Sequence, residues 1–146
     1  MNTNSPKLQQ ALICDDVRKE ITGKEIIIGV YGEDLLTPQF PITIFLSLWV
    51  RLFFPESGTF LLDFDITGPD GRHLANPQKV PVMAHRGQRL STIHISNIPL
   101  QIQVPGQVQF RWRPEGGEWE KVATLNVMQG PIEVPPGVTL GKPISS

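Results

Sequence analysis

The stretch Ile42–Phe54, ITIFLSLWVRLFF, decides the fold class. Its even positions, Ile42, Ile44, Leu46, Leu48, Val50 and Leu52, are all aliphatic. Its odd positions are Thr43, Phe45, Ser47, Trp49, Arg51 and Phe53, which mix aromatics with polar residues. A period of two with one aliphatic face is the pattern of a β-strand buried on that face. A helix is the rival, since Phe45, Trp49 and Phe53 also recur every fourth residue. The β-branched content and the bracketing Pro41 and Pro55 favour the strand. At 13 residues, with Arg51 inside it, the run is too short for a membrane helix of about 20.

The same alternation recurs on both sides of this run. KEIIIGVY (24–31) follows the turn Thr22-Gly23-Lys24 and reads as the return strand of a hairpin that starts with LQQALIC (8–14). TFLLDFDIT (59–67) sets Phe60, Leu62, Phe64 and Ile66 against Leu61, Asp63, Asp65 and Thr67, and ends in the turn Gly68-Pro69-Asp70-Gly71. Residues 73–83, broken by Pro77 and Pro81, suit an edge strand. In STIHISNIPLQIQV (91–104) the apolar parity flips at Asn97, as a β-bulge or a bend between sheets would require. QVQFRWR (107–113) and EWEKVATLNVM (118–128) flank Glu115-Gly116-Gly117 as a closing hairpin. Residues 32–41 read as a loop.

These segments predict an all-β fold, a two-sheet antiparallel β-sandwich of immunoglobulin-like or related topology with about seven to nine strands. Residues 1–7 form a polar arm, 8–129 the sandwich, and 130–146 a Pro/Gly-rich tail without an apolar face. The 146 residues suffice for one core, and the 14 Pro and 13 Gly imply many turns. With 13 Lys+Arg against 14 Asp+Glu, the chain carries no basic footprint for nucleic acid. The single Cys14 excludes an intrachain disulfide and a Cys-only zinc site. The polar opening MNTNSPKLQQ lacks the apolar core of a secretory signal, so a cytoplasmic location without membrane contact is expected.

The opening ALICDDVRKE (11–20), then TGK and IIGVYGEDLL (27–36) before Pro38 and Phe40, resembles a family of short bacterial proteins of unknown function. The resemblance covers mainly the first third of the chain and implies a cytosolic β-sandwich. It carries no activity or catalytic residue with it.

Candidate chemistry is sparse. Asp15 and Asp16, with Glu33 and Asp34 nearby if the first two strands pair, are the best metal candidates. A hard cation needs about six to eight oxygens, so a turn with side chain–backbone bonds is the favoured reading and no metal is expected. Asp63 and Asp65 lie about 7 Å apart on one strand face, a carboxylate-pair spacing that a solvated outer face explains better. His73, His85 and His94 have no ligand spacing, and the common catalytic motifs are absent. No catalytic residue and no cofactor are therefore assigned, and an enzyme with a dispersed site is the third reading. The first is a non-catalytic binding or assembly module that forms a homodimer through Phe45, Trp49 and Phe53, since a face this apolar needs covering. A different protein could also be the partner. The second is a small-ligand or carbohydrate-binding sandwich with a groove at Trp112, Trp119, Arg111 and Arg113.

Overall fold

Alternation in Ile42–Phe53 becomes a central strand because both of its neighbours pair with it along most of its length. In the computed structural model, which describes residues 4–131, every regular element is a strand. In chain order these are β1 (Lys7–Lys19), β2 (Glu25–Val30), β3 (Asp34–Thr37), β4 (Ile42–Phe53), β5 (Gly58–Thr67), β6 (Gln78–Ala84), β7 (Leu90–Ile102), β8 (Gly106–Pro114) and β9 (Glu120–Gln129). They form a four-stranded sheet, β2-β1-β4-β7, and a five-stranded sheet, β3-β9-β8-β5-β6. The arm ends a residue earlier than expected, at the start of β1, and the tail lies beyond the described residues from 132 onward.

The aliphatic residues Leu46, Leu48, Val50 and Leu52 of β4 face Leu62, Phe64 and Ile66 of β5 across one core. Val108, Phe110 and Trp112 of β8 and Leu125 and Val127 of β9 complete it. Burying side chains of this size contributes roughly 1.5–3 kcal/mol each, so this layer is the main source of stability. Trp112 is therefore not part of a ligand groove. It is 1% exposed, packs near Phe64, and donates its Nε1–H to Glu120.

Two features depart from the expected pattern. β3 falls inside the predicted loop and pairs parallel with β9, so the five-stranded sheet is mixed where an antiparallel one was expected. β3 has only four residues and no alternation of its own to announce it. The parity flip at Asn97 is a bulge: Leu46 pairs with Ile98 and Leu48 with Ile95, so Ser96 and Asn97 face Ser47 alone. Asn97 adopts φ 57°, a left-handed conformation that Asn tolerates better than most residues.

The β1–β2 hairpin supplies a third layer. β1 pairs with β4 up to Cys14, opposite Ser47, and then leaves it. Glu25 of β2 meets Thr92 and His94 of β7, although β1 and β4 stand between those strands in the sheet. Neighbouring strands are about 4.8 Å apart, so no glutamate spans that distance in a flat sheet. The hairpin must curl over the sheet's outer face. Beneath it Cys14, Val17 and Trp49 form a second apolar cluster with Leu12 and Ile27. The parity inverts between Cys14 and Val17, where Gly29 of the partner strand has φ 66° and lies under the Asp15 side chain.

Candidate functional site

The aromatic face of β4 is split by this hairpin. Trp49 is 6% exposed in the second cluster, with Arg51 over its ring, while Phe45 is 57% exposed and Phe53 half-buried. The three therefore do not form one open interface. The cover over Trp49 comes from the chain's own first two strands.

Asp15 and Asp16 are occupied as side chain–backbone and side chain–side chain acceptors. Asp16 accepts from its neighbour's backbone N–H at Val17 (2.9 Å) and from Arg18. Asp15 hydrogen-bonds Tyr31, whose pKa is pushed up to about 12 by burial first and this bond second. Asp34 accepts from Asn126. Among the described residues no three His, Cys, Asp or Glu side chains gather as a metal site. The Cys14 thiol is fully buried, and burial, then the charges of Asp15 and Asp16, push its pKa up. Such a thiol is a poor nucleophile.

Arg111, Arg113 and Trp119 do come together, on the outer face of the five-stranded sheet. The two guanidinium groups lie 4.9 and 4.4 Å from the Trp119 ring centroid. The arginines are not free to bind a ligand, because each is paired across β5 and β8. Arg113 donates to Asp63 (3.0 Å) and Arg111 to Asp65 (2.5 Å). Asp63 and Asp65 are consequently buried, at 8% and 2% exposure, where a solvated face was expected. The glutamates of the last hairpin have other partners: Glu115 takes Lys79 and Glu120 takes Trp112.

Asp65 also builds the site that sequence reasoning missed. Its second oxygen lies 2.8 Å from Nδ1 of His73. Burial would raise the Asp65 pKa, but the hydrogen bonds from Arg111 and His73 outweigh it and hold the carboxyl below its usual range. Residue 73 is brought there by the turn after β5, in which Thr67 bridges to His73 and Gly71 takes φ 81°. An eight-residue step from Asp65 to His73 across Gly68-Pro69-Asp70-Gly71 was the available sign, because that turn folds the two flanks onto each other.

His73 and Asp65 line a cleft of about 540 Å³ bordered by β4, β5, β7 and the segment that leads into β6. Leu48, Phe64, Ile66, Leu74, Ile95 and Ile98 wall it with carbon. Its remaining polar lining is Asn76, Gln78, Ser96 and Asn97, all uncharged. The bulge in β7 thus places Ser96 and Asn97 at the opening. Ser47 fixes the bulge from below, accepting the Asn97 N–H and donating to the Asp15 carbonyl, both at 3.2 Å.

A model of a family of unknown function, DUF6941, matches residues 9–128. The chain belongs to DUF6941. The match runs from within β1 to within β9, so it takes in both sheets, the curled hairpin and the cleft of this DUF6941 chain. The resemblance read from the opening residues, to a family without an assigned function, is thereby borne out. No curated protein matches the chain. Among the described residues no helix is long and apolar enough to cross a membrane.

Proposed function

We propose that the chain is a non-catalytic binding module of the bacterial cytoplasm, with its site in the cleft and a small, uncharged amphipathic molecule as ligand. The cleft itself carries the reading. Its volume of about 540 Å³ lies within the range of small-molecule sites, and its lining combines a carbon wall with a few fixed polar groups. The charge of Asp65 is matched by Arg111, so the lining holds no uncompensated ion for a charged ligand to meet. A sugar is a weaker fit, because the one aromatic in the lining, Phe64, is 4% exposed and offers no stacking platform. Binding is favoured over turnover because both oxygens of Asp65 are already engaged, by His73 and by Arg111. The single unpaired Cys14 fits a reducing compartment.

The test is a fragment screen read by backbone amide shifts. Uncharged fragments with an apolar ring and an amide or hydroxyl edge should perturb residues 73–78 and 95–99. Ala75→Trp, which fills the cleft from its loop side, should remove those shifts while the rest of the spectrum persists. Shifts clustered elsewhere, or hits confined to charged fragments, would overturn the reading.

A further inference from the structure

Among the described residues the sandwich has four sheet edges, and they are not equally protected. β6 carries Pro81 in mid-strand, and β7 carries Pro99 and the left-handed Asn97. β3 is only four residues long. Prolines, bulges and short length are the usual means by which an edge avoids pairing with another chain. β2 is longer, at six residues, has no proline, and meets a left-handed glycine only at Gly29. It is also the most apolar edge. With Glu25 and Ile27 turned inward, Ile26, Ile28 and Val30 are left 43%, 39% and 54% exposed.

We propose that two copies of this chain associate through β2, edge to edge and antiparallel, about a two-fold axis. An antiparallel pair is self-complementary in charge. The tip of the hairpin carries Arg18, Lys19 and Lys24 against Glu20, while the other end of β2 runs into Glu33 and Asp34. Reversing one copy sets each basic end against its partner's acidic end, whereas a parallel pair sets like against like. Arg18 and Lys24 lean on Asp16 and Glu20 in the single chain, but these pairs are exposed and exchange at little cost. The isoleucine stripes of the two copies then become cross-strand neighbours on one face, the arrangement that stabilises a sheet. An isologous contact of this kind closes after two copies. It involves neither the cleft nor Asp65, so it stands whether or not the cleft binds a ligand.

Sedimentation equilibrium on the full chain, over a roughly hundredfold concentration range, reads the result directly. A dimer is expected, with Ile28→Lys weakening it at least about tenfold while circular dichroism and melting temperature stay near wild type. Ile26→Lys is the second variant, should the first fail to fold. Lys24→Glu and Glu33→Lys should each weaken the dimer, and combining them should restore it. A monomeric wild type would overturn the proposal. So would a dimer that survives both isoleucine variants, or one that is lost instead on Phe45→Lys.

Discussion

Ser47 shows how much one buried hydroxyl can hold. It is 0% exposed, sits opposite the bulge, and bonds both the Asn97 N–H of β7 and the Asp15 carbonyl of β1. Ser47→Ala removes the partner of one donor and one acceptor at a half-buried point, where the cost is at or below the roughly 1–3 kcal/mol of a fully buried unsatisfied group. The urea midpoint should fall accordingly, with the amides around residues 95–99 exchanging faster than those of β8. Tyr31 allows a second measurement on a single residue, because it is the only tyrosine in the chain. Its ionisation, followed by ultraviolet absorbance, should come at about pH 12. Burial is the first cause and the Asp15 hydrogen bond the second, so Asp15→Asn should move the transition to lower pH without restoring the free value. A wild-type transition near pH 10 would mean that the ring is neither buried nor bonded as described.

The strand elements differ in how much of their structure could be read in advance. β4, β5, β8 and β9 each alternate within themselves, and a local pattern is enough to name them. β3 gets its place from β9, some ninety residues along the chain, and nothing within DLLT expresses that pairing. The curl of the β1–β2 hairpin is equally non-local. It depends on a left-handed Gly29 and on Glu25 finding Thr92 and His94. The cleft was unreadable for the same reason, since β5, the 73–78 segment and the β7 bulge approach only after both sheets have formed. The role of Glu25 can be tested on the hairpin. Its carboxylate is the polar anchor that holds the third layer over Trp49. Glu25→Ala should raise hydrogen exchange across residues 11–30 while leaving β8 and β9 unchanged. Equal loosening in both sheets would mean that the hairpin is not a separable layer.

The outer face of the five-stranded sheet holds a carboxylate whose pairing ties stability to pH, Asp65. There Asp63 and Asp65 tie β5 to β8 through Arg113 and Arg111, and Asp65 also holds the His73 turn. The folded pKa of Asp65 lies below its unfolded value of about 3.9. The stability it contributes is therefore present above that value and is lost as pH falls through the folded pKa. Asp65→Asn should lower the melting temperature at neutral pH and flatten its decline below about pH 4. An unchanged acid limb would show that Asp65 does not gain from its two partners. The position of β9 bears on how such a molecule is put together. The last strand among the described residues lies in the interior of its sheet, between β3 and β8. Until Glu120–Gln129 has been made, β3 has no partner among the described strands and one flank of β8 lacks its neighbour. A nascent chain halted before that point would present two unpaired strand borders at once, and its fate would be capture by a chaperone or by another unfinished copy.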